Sequence, residues 1–155
     1  MDPPIIPDHF GNIMLTTTFQ LPHYFNALQR ILLTANGNLQ LIFSSYHNSP
    51  VTITVLKNNY TADLYYDRCV TLNCKGKLLC TATSKVWTLS KEAKVAVESE
   101  KIGIGQLFRF LNILPVFQMI DCGLKENEVM WRSYILSSIH LKCEIYEEFE
   151  FDCLL

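Results

Sequence analysis

The sequence predicts an α+β fold: a six-stranded, largely antiparallel sheet with about three helices packed on one face. Three observations carry this. Period-two alternation of apolar and polar residues recurs in several separate segments, the clearest being Leu141 to Phe151. The segments are joined by hairpin-length polar turns, which favours antiparallel neighbours. Helical spacing of apolar residues is confined to two regions, near residues 24–46 and 104–111.

Taken in order, the chain starts with a Pro-rich stretch, and residues 1–20 are expected to be loose. Tyr24, Phe25, Leu28, Ile31 and Leu32 then recur at helical spacing, and this first helix ends near Asn36-Gly37. Asn38 suits the N-cap of a second helix with the stripe Leu39, Ile42, Phe43 and Tyr46. Pro50 opens a strand with Val51, Ile53 and Val55 inward. The next strand carries Leu64, Tyr66, Arg68, Val70 and Leu72 on its apolar face. A Lys75-Gly76-Lys77 turn then leads to a partner with Leu78, Cys80, Ala82, Ser84 and Val86 on one face. Residues 91–98 fit either helix or loop. Ile104, Leu107, Phe108 and Leu111 define an amphipathic helix, and Phe117–Leu124, Glu128–Ser138 and Leu141–Phe151 complete the set as three successive strands. All 155 residues are read as one domain, a length that suits a single core.

Two charged residues break these patterns. In the last strand Leu141, Cys143, Ile145, Glu147, Phe149 and Phe151 share a face, so Glu147 is a carboxylate on an otherwise apolar wall and needs compensation. Arg68 is the corresponding cation on its own apolar face, and its planar fork is suited to carboxylates. They either pair with each other in the core or face a ligand. Arg132 is expected to face solvent or a neighbouring strand rather than a ligand, because the faces 129–137 and 128–138 both read as mixed.

The rest of the composition excludes classes. A net charge of −2 without a Lys or Arg run argues against nucleic acid and anionic membranes as partners. No apolar run reaches membrane-span length and no secretory leader is recognisable, so a soluble, non-secreted chain is expected. The six cysteines form no C-x-x-C pair and several fall on apolar strand faces, which fits reduced thiols acting as small hydrophobes. His9, His23, His47 and His140 lie at no metal-ligand spacing from another His or Cys, and no metal is expected. Gly103-Ile104-Gly105 at a helix start leaves backbone N–H groups open to an anion, though the same residues also suit a tight turn.

The order of segments resembles the chorismate pyruvate-lyase superfamily, in particular a compact branch that includes plastid-encoded members. The resemblance runs through Ile31-Leu-Leu-Thr-Ala-Asn-Gly-Asn-Leu39, Arg68-Cys-Val-Thr-Leu72, Ile102-Gly-Ile-Gly-Gln-Leu-Phe108, Trp131-Arg-Ser-Tyr-Ile-Leu-Ser137 and Glu147-Glu-Phe149. It departs from the family pattern at Gln40, Gly103 and Glu150-Phe151. The resemblance implies a six-stranded sheet over a buried pocket, and a lyase that eliminates pyruvate from chorismate to leave 4-hydroxybenzoate without a cofactor. It implies that Arg68 and the backbone at Ile104 and Gly105 hold a carboxylate, that Leu39 lines the pocket, and that Glu147 faces the oxygen-bearing end of the ring. Arg68 and Glu147 would then be the catalytic pair. The alternative is a non-catalytic module of the same fold that binds an aromatic carboxylate; a third possibility is a structural role with a vestigial pocket. The expected partner is a small molecule bearing carboxylates, with a monomer favoured. The expected location is the cytoplasm or a plastid stroma, the latter suggested by a coding bias towards Ile and Asn.

Overall fold

The computed structural model describes residues 7–8, 11–12, 19–99 and 103–155. Most of the expected loose start lies outside the described residues, as does Ile102. Two short strands, β1 (Pro7–Asp8) and β2 (Gly11–Asn12), pair with each other. The helices α1 (Ala27–Leu33) and α2 (Leu39–His47) follow, and then a first meander of β3 (Val51–Tyr60), β4 (Tyr66–Cys74) and β5 (Lys77–Thr88). After α3 (Lys91–Glu98) and α4 (Ile104–Phe110) comes a second meander of β6 (Val116–Leu124), β7 (Met130–Ser137) and β8 (Leu141–Phe149). The last strand of each meander pairs antiparallel with the other, giving one six-stranded sheet of order β3-β4-β5-β8-β7-β6. The connection between the meanders carries α3 and α4. The expected antiparallel α+β sheet is therefore present with four helices among the described residues, since residues 91–98 fold as α3 behind a Ser90 cap whose Oγ accepts from Ala93 N.

Local chemistry explains where elements start and stop. Asn26 and Gln29 form a reciprocal capping box at the start of α1, each side chain accepting the other's backbone N–H at 2.9 Å. That cap places the start at Ala27, after Tyr24 and Phe25, so the predicted apolar stripe is displaced: Leu32 and Leu33 are buried, while Leu28 and Ile31 are exposed. Asn38 stands at the start of α2 without making a capping hydrogen bond. The Lys75-Gly76 turn has positive φ at both residues, which matches the twist of a tight hairpin.

Three strand details depart from simple alternation. The register between β4 and β5 shifts after Leu72, so Leu79 rather than Leu78 enters the core, the mark of a β-bulge. Leu64 precedes β4 in a left-handed turn and is exposed. Phe151 lies beyond β8 in a closing turn and is 66% exposed.

The helices cover one face of the sheet in two groups. Leu32, Leu33, Leu39 and Phe43 of the first helical pair pack on Leu72, Leu79, Met130 and Phe149. Ala93, Val97, Leu107 and Phe108 of the second pair pack on Val86, Leu136, Cys143 and Ile145. The strand register places Val70, Ala82, Glu147 and Arg132 side by side in one row across the sheet, on the seam between these clusters. Two half-cores that meet over a polar row leave a gap there.

Candidate functional site

The gap is a cavity of about 70 Å³. Its floor is the row Val70, Ala82, Glu147 and Arg132, together with Leu72, Tyr134 and Ile145. Its roof comes from two stretches distant in sequence: Gly37, Leu39 and Gln40 at the α1–α2 connection, and Gly103 to Gln106 at the start of α4. Leu39, Ile104, Gly105 and Glu147 therefore line one space. Arg68 is not among the lining residues.

Glu147 points inward as the alternation requires and is 2% exposed, but its compensating charge is Arg132 rather than Arg68. Arg132 sits directly opposite Glu147 in the β7–β8 register and is fully buried. Its Nη2 donates to Oε1 at 3.0 Å and its Nε to the same oxygen at 3.3 Å, while Nη2 reaches Oε2 at 3.4 Å. Nη1 donates to the carbonyls of Leu33 at 2.9 Å and Ala35 at 2.8 Å. Those oxygens belong to the end of α1, where carbonyls lack intrahelical partners and a cation is favoured. The guanidinium also lies over the Tyr134 ring at 4.1 Å. The expectation that Arg132 faces solvent is thus wrong in its outward half: Met130, Arg132, Tyr134 and Leu136 form the buried face of β7. Ile135 and Trp131 on the opposite face obscured that alternation.

Arg68 is 1% exposed, inward as patterned. It lies between Asn58 and Ser84 in the register, one same-face position along β4 from Val70. Two strands and one such step separate it from Glu147, roughly 12 Å between Cα atoms on ordinary sheet spacings. This is its physical difference from Arg132, which is an immediate cross-strand neighbour. Arg68 belongs to the α3 side of the seam, where its neighbour Asn58 donates from Nδ2 to the Val97 carbonyl at 3.0 Å.

The two glycines of Gly103-Ile104-Gly105 have packing reasons of their own. A Cβ on Gly105 would come within 2.6 Å of the Gly37 carbonyl oxygen, so α4 and the α1–α2 connection cross backbone to backbone over the cavity. A Cβ on Gly103 would meet only the Ile53 side chain. Gly103 occupies the N-cap without a side-chain hydrogen bond, which leaves the first N–H groups of α4 uncapped by a side chain.

Two cavity residues escaped the sequence reading as contributors. Tyr134 is buried beside the carboxylate, and Gln40 adds an amide whose Nε2 donates to the Val51 carbonyl at 2.9 Å. That bond orients the amide, and the remaining Oε1 is buried without a hydrogen-bond partner among the described residues. Neither residue breaks a local pattern of the sequence, so no local signal singled it out. Around Glu147 the neutral forms of its neighbours are favoured. Burial, followed by the Glu147 charge, pushes both the Tyr134 hydroxyl and the Cys80 thiol well up, with Arg132 pulling the other way. Cys80 Sγ lies 4.0 Å from Glu147 Oε2. For Arg132 itself, burial is the largest single effect and works against the charge, but the charge and hydrogen bonds of Glu147 together with the neighbouring Tyr134 and Cys80 raise the pKa against it.

Nothing among the described residues groups three or more His, Cys, Asp or Glu side chains as a metal site, and no helix there is long and apolar enough to cross a membrane. No protein-family model and no curated protein matches the chain. The functional reading therefore rests on the cavity and the residues that line it.

Proposed function

We propose that the chain is a chorismate pyruvate-lyase, with the seam cavity as the site where the ring of the substrate binds. The observation that carries the proposal is that Leu39, Ile104, Gly105 and Glu147, drawn from three distant stretches, line one space with apolar walls and a polar end. Small-ligand sites have this composition. In this reading Glu147 accepts from the ring hydroxyl, and the uncapped amides at the start of α4 meet a carboxylate. Arg68 supplies a cation where the ligand extends past Val70. The reaction is redox-neutral. The ring carbon bearing the hydroxyl loses its hydrogen as a proton. The bond from the adjacent carbon to the enolpyruvyl oxygen breaks with its electron pair leaving on oxygen, and the ring becomes aromatic. The released enolpyruvate takes a proton on its methylene carbon to become pyruvate. Orientation and fixed dipoles supply the acceleration.

The cavity of about 70 Å³ is well below the roughly 300 Å³ at the lower end of ligand pockets, so the ring enters only when the roof moves. The roof's two parts meet at the Gly37–Gly105 crossing, and their separation is the movement required. The test is pyruvate release from chorismate by purified protein, against Glu147→Gln and Arg68→Ala. Turnover lost in both variants supports the proposal, and wild-type release no faster than either variant defeats it. One observation favours a second reading, an aromatic-carboxylate binding module without turnover: the Glu147 charge is already engaged by Arg132. That reading predicts a thermal shift with 4-hydroxybenzoate and no pyruvate from chorismate.

A further inference from the structure

We propose that Arg132 is the positioning residue of this site, tying the carboxylate on the cavity floor to the connection that forms its roof. The inference rests on reading the cavity as a ligand site and adds to it the residue that holds Glu147 and the roof together.

A guanidinium offers five N–H donors in one plane, and this one uses both of its edges. One edge, Nε and Nη2, faces Glu147. Nη1 holds the Leu33 and Ala35 carbonyls, from which the chain runs directly into Gly37, Leu39 and Gln40 of the roof. The plane is set by Tyr134 beneath it. A lysine could supply the charge, but not two sets of directed bonds at once.

The same geometry makes the two carboxylate oxygens unequal. Oε1 takes the 3.0 and 3.3 Å bonds from Arg132, whereas Oε2 has a 3.4 Å contact to Nη2 and the Cys80 thiol at 4.0 Å, and the Tyr134 hydroxyl faces the same carboxylate within hydrogen-bonding reach. Oε2 is therefore the oxygen that Arg132 engages less, and Gln40 Oε1 is a second acceptor on the same cavity. A ligand is selected at this end for a hydrogen-bond donor such as a hydroxyl, and a second carboxylate is rejected there. The titratable groups facing the Glu147 carboxylate are Arg132 and Tyr134 from β7 and Cys80 from β5; the cavity residues of the α1–α2 connection, α2 and α4 carry none.

The test uses the full chain with Arg132→Gln, Arg132→Lys and Glu147→Gln. It reads amide hydrogen exchange at Thr34, Ala35 and Ile42, whose N–H groups bond the Arg30, Leu32 and Asn38 carbonyls around the roof connection, and the Kd for 4-hydroxybenzoate and for terephthalate, which replaces the hydroxyl with a carboxylate. Exchange at these three hydrogen-bonded amides should rise by about tenfold or more in both Arg132 variants, and by much less in Glu147→Gln, which keeps the carbonyl bonds. Arg132→Lys retains the compensating charge, so it serves if the Gln variant does not fold. Wild type should bind 4-hydroxybenzoate more tightly than terephthalate, with that preference reduced in Arg132→Lys. Roof exchange unchanged in Arg132→Lys overturns the proposal, as does a variant that lowers Tm alone. Failure of wild type to bind either compound counts against the ligand reading, while the exchange data still decide the tie between floor and roof.

Discussion

Replacing Gly105 by alanine tests the closure of the cavity more directly than any change to a charged group. Two effects oppose each other. Alanine in a helix is favoured over glycine by roughly 0.5–1 kcal/mol. Against this, the new Cβ would stand 2.6 Å from the Gly37 carbonyl oxygen and 2.8 Å from its carbonyl carbon and Cα, and none of these atoms can rotate away. Overpacking of this kind costs about 1–3 kcal/mol, and rigid backbone neighbours place it at the upper end. The net expectation is a loss of about 2 kcal/mol, a large share of a typical 5–15 kcal/mol of folding stability. Gly103→Ala is the internal control. Its Cβ meets Ile53 Cδ1 at 2.5 Å, the tip of a side chain that can change rotamer, so the cost should stay below about 1 kcal/mol. Equilibrium urea unfolding followed by circular dichroism measures both. The reasoning fails if Gly105→Ala is as stable as wild type, or if Gly103→Ala is the more damaging change.

Removing one partner of the buried pair, by Glu147→Gln or Arg132→Met, should cost about 3–5 kcal/mol; the double variant should cost less than the sum, read from a double-mutant cycle in urea. Leu79→Ala should lose about 2–5 kcal/mol while Leu78→Ala stays near neutral, because the β-bulge turns only Leu79 into the core. Six thiols should react with Ellman's reagent after denaturation, while in the native protein Cys69 and Cys122 react first and the buried Cys74, Cys80, Cys143 and Cys153 are protected. Burial first, and then Asp152, pushes the Cys153 thiol up to about 11, so it should also resist alkylation at neutral pH. On the open face of the sheet the Glu148 pKa is lowered by hydrogen bonds from Lys125 and then Tyr146. A depressed carboxyl stabilises the fold above its unfolded value and loses that contribution as pH falls through the folded one, so the stability gap between wild type and Glu148→Gln should close on acidification and shrink in salt.

The alternation in Leu141 to Phe149 was enough to turn Glu147 inward, and that in β4 did the same for Arg68, because period-two patterning reports directly on which face is buried. Leu39 and the start of α4 were legible as single features, and the cavity brings them together. The partner of Glu147 was not legible. An inward arginine on β7 was hidden by a second face that is also partly apolar, and which of two buried arginines neutralises a carboxylate depends on strand order. Nor does alternation survive a β-bulge, which is how Leu78 and Leu79 exchanged places.

By itself, then, the sequence determined the antiparallel α+β class, the helical regions near residues 24–46 and 104–111, and the two inward charges, since each follows from local periodicity and the cost of burying a charge. Only the tertiary structure decided that β5 and β8 join the meanders, that Arg132 rather than Arg68 stands beside Glu147, and that Gly37 meets Gly105 over a cavity. Those outcomes depend on register and backbone approach between segments far apart in the chain, quantities that no local pattern of residues encodes.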